Sequence, residues 1–136
     1  MTTKTLKGNI LILLIMAILF SSCEEEIICD NFLQTLTNCS TQNWKVVESI
    51  NQGSSVASEI NEIWSFSADE TYTRTTVSGV FQYGHNSTIL WLGASQTGFN
   101  TYTYAFSNNN TVFEIIKEST TAQDGAYIRR IKFVKQ

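Results

Sequence analysis

Residues 101–117 read TYTYAFSNNNTVFEIIK. The first six alternate, with Tyr102, Tyr104 and Phe106 on one face and Thr101, Thr103 and Ala105 on the other. A period of two is the signature of a β-strand with one buried face. Ser107, Asn108, Asn109 and Asn110 follow, residues whose short polar side chains suit a tight turn. Thr111 to Lys117 then returns to β-branched and apolar residues. Strand, polar turn and strand make an antiparallel hairpin.

The same grammar extends in both directions. Trp44 to Ile50 alternates, with Trp44, Val46 and Ile50 placed on one side. Residues 51–59 form a Gly/Ser loop, and residues 62–67 set Trp64 and Phe66 on one face. Ala68, Asp69 and Glu70 are a turn, residues 71–77 a Thr-rich strand, and Gly79 a break before the strand 80–83. Gly84, His85 and Asn86 turn the chain again, and residues 88–92 (TILWL) are its most continuous apolar strand. After a loop at 118–125, residues 127–135 alternate Tyr127, Arg129, Ile131 and Phe133 against Ile128, Arg130, Lys132 and Val134. No long helical period interrupts these seven or eight strands. The fold class is therefore all-β and antiparallel, a barrel or a sandwich. A closed up-and-down meander has the advantage of leaving no sheet edge. Ahead of the strands, the spacing of residues 29, 32, 33 and 36 predicts a short helix or ordered lead-in.

The order Trp44-x-Val46, then Phe66-Ser67-Ala68-Asp69-Glu70-Thr71-Tyr72-Thr73, then the hairpin 104–113, resembles the lipocalin-like domains of small Bacteroidetes lipoproteins over residues 43–136. Two positions depart from that pattern. No Gly stands two before Trp44, and Glu70 takes the place of a hairpin Gly. The resemblance implies a small barrel in which Trp44 plugs one end and Arg129 or Arg130 stacks on it. Such a cation–π contact contributes about 0.5–2 kcal/mol. Trp64, Phe66, Tyr72, Phe81, Tyr83, Trp91, Tyr102, Tyr104 and Phe106 fall on alternating strand faces, and if the strands close some of them line the interior and any ligand cavity. A small barrel can instead be filled by its own side chains.

The N-terminus carries an address. Lys4 and Lys7 precede 11 apolar residues, 10–20, and then Ser21, Ser22 and Cys23. A bilayer-spanning helix needs about 20 apolar residues, so this run is a secretory signal rather than an anchor. The box Phe20-Ser21-Ser22-Cys23 resembles a bacterial lipoprotein signal, with Phe20 where Leu is usual. That resemblance implies cleavage after residue 22 and lipidation of Cys23. Buried acyl chain contributes about 0.8 kcal/mol per CH₂, so several chains hold a protein permanently. The expected product is 114 residues, and losing Lys4 and Lys7 takes the net charge from −3 to −5. Glu24, Glu25 and Glu26 resemble the acidic tract of surface-exported lipoproteins, and equally serve as a plain charged spacer. The expected location is the outer membrane of a cell envelope, facing outward or toward the periplasm.

With Cys23 acylated, Cys29 and Cys39 remain, and an exported chain favours a disulfide between them over two thiols. Residues 23–42 then form an acidic tether and lead-in. Two Cys and the lone His85 do not supply a four-ligand metal set. His85 lies in a turn without a nucleophile and orienter in view, and the adjacent Asp69 and Glu70 are turn residues. No phosphate loop or other cofactor motif is present, and the acidic charge argues against nucleic acid. The expectation is a non-enzyme without cofactors. It either binds a small apolar ligand in a barrel cavity or acts as a protein-interaction or structural module with a solid core.

Overall fold

The computed structural model describes residues 28–95, 97–118 and 128–136. The signal segment 1–22, Cys23, the acidic residues 24–26 and Tyr127 lie outside the described residues. Helix α1 (Asn31–Thr37) leads into nine strands: β1 (Thr41–Asn51), β2 (Ser54–Ser55), β3 (Ile63–Ser67), β4 (Thr71–Arg74), β5 (Val77–Tyr83), β6 (Ile89–Gly93), β7 (Phe99–Ser107), β8 (Val112–Glu118) and β9 (Ile128–Lys135). Every pairing is antiparallel, and β1 pairs with β9 as well as with β3. Strands β1 and β3 to β9 thus close an eight-stranded up-and-down barrel of the lipocalin-like kind, and β2 is a short addition to β1. Closure leaves the barrel strands without a free edge.

The turns follow from residues that accept a left-handed backbone. Asn108, Asn109 and Asn110 all have positive φ at the β7–β8 hairpin. Gln52 and Gly53 do the same between β1 and β2, the backbone sense that matches strand twist. Glu70, at the position where the resembled family carries Gly, sits at φ 63°. A left-handed backbone there carries a steric cost to a residue with a Cβ.

Three expectations shift. The Thr-rich segment 71–77 is not one strand: it turns at Thr75 and Thr76, with Arg74 paired to Val77. Gly79 does not break the chain but lies inside β5, where a Cβ would fall 2.6 Å from the Tyr72 ring. Its missing side chain is what lets Tyr72 lie across the strand. Third, Ile50 does not share the face of Trp44 and Val46. A bulge between Val46 and Glu48 leaves Val47 unpaired and flips the alternation. Ser49 turns inward and is fully buried.

Helix α1 forms because Asp30 caps it, its Oδ1 accepting from the Phe32 and Leu33 amides at 3.0 Å each. Asn38, left-handed at φ 55°, ends it. Phe32, Leu33 and Leu36 belong to the same core as the strands, so the lead-in and the barrel form one packed unit. Cys29 and Cys39 are joined by a disulfide that brackets the helix.

Candidate functional site: the barrel interior and its two mouths

The interior is occupied by the protein itself. Trp44, Phe66, Phe81, Phe113, Phe133, Leu90 and Ile115 are each essentially without exposure. Their rings interlock: Phe66 meets Phe81 at 5.7 Å and Phe113 at 5.9 Å, and Phe113 stacks on Phe133 at 5.4 Å. Trp64, Phe66, Tyr72 and Phe81, expected as lining residues, are parts of this solid core. Tyr102 packs against it from β7. Trp91 lies between the buried Leu90 and Leu92, so strand alternation puts it on the outer face, away from any interior ligand.

One mouth is capped by α1. Trp44 stands just inside, and its indole N–H donates to the Leu36 carbonyl at 2.8 Å. The cation over its ring is Lys135, with Nζ 6.0 Å from the centroid. Neither Arg129 nor Arg130 takes the stacking role that the resemblance implied. Arg130 faces outward, with Nη2 2.6 Å from Glu48 Oε1. Arg129 is held at the opposite mouth. Lys135 replaces them because it is the residue that β9 pairs with Trp44.

Beside the helix, this mouth leaves an open cleft of about 300 Å³, lined by Asp30, Phe32, Tyr83, His85, Tyr104 and Phe106 among others. Phe32 stacks on Tyr83 at 4.3 Å and meets Tyr104 at 4.7 Å. His85 Nδ1 lies 3.2 Å from Asp30 Oδ2. Partial burial works to raise the Asp30 carboxyl. Hydrogen bonds from the Leu33 amide, Tyr83, His85 and the Phe32 amide outweigh it and hold the group below its ordinary value. The Tyr83 hydroxyl is pushed up by burial and by its bond to Asp30, and the Tyr104 hydroxyl by burial and the Asp30 charge. Both therefore remain neutral phenols. Tyr83, Tyr104 and Phe106 are the expected aromatics that the fold gathers at an accessible surface.

The opposite mouth is closed by charge. A 3-10 turn at Ala57–Glu59 brings Glu59 over the barrel end. Its carboxylate accepts from Ser49 Oγ at 2.6 Å and is paired with Arg129 Nη2. Arg129 also donates to Ser49 Oγ at 2.8 Å. Arg74 lies 3.5 Å from Glu59 and 3.4 Å from Glu62, and its guanidinium sits 4.8 Å over the Trp64 ring. The tryptophan–arginine stack of the barrel is thus Trp64–Arg74. Burial works to raise the Glu59 carboxyl, but Arg129, Ser49 and Arg74 together hold it below its ordinary value. Ser49 is sealed from solvent beside a guanidinium, an arrangement that locks the barrel end rather than activating a nucleophile.

Sequence reasoning passed over Ser49, Glu59, Glu62 and Arg74. A bulge carries no compositional mark, and Glu59 sits in a stretch that reads as loop. Asp30 had a usable signal, a cap residue just before the apolar 32, 33 and 36. Among the described residues, no three His, Cys, Asp or Glu side chains gather as metal ligands. Comparison with protein-family models, with curated proteins and with solved structures gives no match.

Proposed function

We propose that this chain is an envelope lipoprotein of the Bacteroidetes kind, cleaved before Cys23, held to the outer membrane by acyl chains on that residue, and non-catalytic. Its barrel serves as a solid scaffold that binds through its surface, as an interaction or accessory module. The observation that carries this reading is the filled interior: the aromatic side chains that would line a ligand cavity occupy it instead. The Cys29–Cys39 disulfide supports export to an oxidising compartment. Among the described residues no helix is long and apolar enough to cross a bilayer. A second reading, retention of a small ligand, rests on the helix-side cleft rather than on a central cavity.

Fractionation of cells expressing wild-type and Cys23→Ala protein tests the anchor. Wild-type protein is expected in the membrane pellet, and the variant in the soluble fraction or held back as precursor outside the outer membrane. Outer-membrane association of Cys23→Ala equal to wild type would contradict the anchor.

A further inference from the structure

The cleft beside α1 combines three features. It is concave and open, with a volume of about 300 Å³. Its walls are aromatic: Phe32, Tyr83, Tyr104 and Phe106. Among the described residues that line it, Asp30 is the one carboxylate, and no lysine or arginine is present. We propose that this cleft binds a small organic cation, an ammonium group carrying apolar substituents. The inference deepens the small-ligand reading above by naming the chemical class.

The chemistry selects against the other classes. An anion would meet the Asp30 carboxylate, and the Phe32 and Leu33 amides at the start of α1 are both taken by its Oδ1. The Phe32 and Leu33 amides and Tyr83 that donate to Asp30 are neutral groups, and His85, with Nδ1 3.2 Å from Oδ2, offsets the carboxylate charge only when protonated. A neutral apolar molecule gains area burial alone. An alkylammonium gains the same burial, the attraction of the carboxylate, and cation–π attraction from the half-buried Tyr83, Tyr104 and Phe106 rings. Phe32 is the buried floor of the cleft, stacked on Tyr83 and contacted by Tyr104 and Phe106, and His85 meets the Tyr83 ring edge-on at 5.1 Å. Aromatic walls around a quaternary ammonium are a general recognition device, each contact contributing about 0.5–2 kcal/mol.

Two sources can supply such a group. Five chain steps separate Cys23 from Ile28, a reach of at most about 18 Å. If Cys23 is the lipid anchor, the α1 mouth is held close to the bilayer, within range of lipid headgroup ammoniums. A free amine from the surroundings is the other source.

The test is an amide chemical-shift titration of the purified exported protein in maltoside micelles, with choline as the probe. Saturable shifts are expected at Gly84, His85 and Thr35. The neutral isostere 3,3-dimethylbutan-1-ol, of the same shape without the charge, is expected to bind about tenfold more weakly. Asp30→Asn keeps a helix-capping side chain and is expected to weaken choline severalfold while leaving the alcohol unchanged. Glu62→Gln, at the opposite mouth, should leave both affinities as they were. No saturable shift up to about 100 mM choline, or equal binding of the alcohol, would overturn the proposal. The comparison of choline with alcohol on wild-type protein decides the matter even where a variant folds poorly. Nanodiscs then separate the sources. Shifts at the same amides with phosphatidylcholine but not phosphatidylglycerol assign a lipid headgroup, and shifts with free choline alone assign a soluble amine. Choline binding does not depend on the anchor, so this result and the Cys23→Ala fractionation fail independently.

Discussion

Trp44→Ala is expected to destabilise the domain by about 3–5 kcal/mol, the range for deleting a large aromatic from a packed core. The indole has no exposed surface. It meets Phe113 at 5.6 Å and Phe106 at 6.1 Å, so its removal opens a void between β1 and the β7–β8 hairpin. It also satisfies the Leu36 carbonyl, one of the last in α1 and without a partner further along the helix. The variant therefore loses core packing and the fastening of the helix cap together. Trp44→Phe separates the two, keeping a ring but not the donor, and should lose about 1–3 kcal/mol. Urea denaturation of the three proteins measures both. A Trp44→Ala variant within about 1 kcal/mol of wild type would mean that the helix side of the barrel is not packed as described.

Arg129→Met is expected to cost about 3 kcal/mol, the lower end for removing one partner of a buried ion pair. The lower end applies because Glu59 keeps Arg74 at 3.5 Å after Arg129 is gone. The two paired side chains are only 13% and 15% exposed, so solvent screens them little. Glu59→Gln should cost at least as much as Arg129→Met, since it leaves the buried Arg129 guanidinium with only neutral acceptors, Ser49 Oγ and the Ile50 carbonyl. The double variant should fall below the sum of the singles, the mark of direct coupling. The acid limb carries the same signature. The folded Glu59 carboxyl is held below its ordinary value of 4.5. Its contribution is then full above about pH 4.5 and is lost as pH falls through the lower folded value. Glu59→Gln should flatten that part of the stability profile, and an acid limb identical to wild type would remove Glu59 from the lock.

How far these residues could be read in advance varies with the physics involved. The β7–β8 hairpin was open to inspection because strict alternation and three successive asparagines carry its strand period and its turn in the sequence itself. The helix was visible in the spacing of Phe32, Leu33 and Leu36. The closure of β1 on β9, by contrast, joins residues far apart in the chain, and only the absence of tolerable free edges argued for it beforehand. Ser49 shows where pattern fails. One unpaired residue at Val47 inverts every later side chain of β1, so an apolar Ile50 faces out and a serine faces in. The lock at that mouth depends on this inversion. Gly79 fails in a related way, since its reason is the Tyr72 ring across the strand and not its own neighbours. The aromatic list was right in placing many of these rings toward the barrel centre. It could not show that they fill the space, because that depends on how their volumes sum in three dimensions.

The most direct test of a solid barrel on a lipid tether is native mass spectrometry of the exported protein, taken before and after extraction with organic solvent. The account predicts residues 23–136 with acyl chains on Cys23, a mass two hydrogens short for the Cys29–Cys39 disulfide, and no apolar molecule released from the barrel. A stoichiometric apolar passenger without an ammonium group, freed by the solvent, would contradict the filled interior.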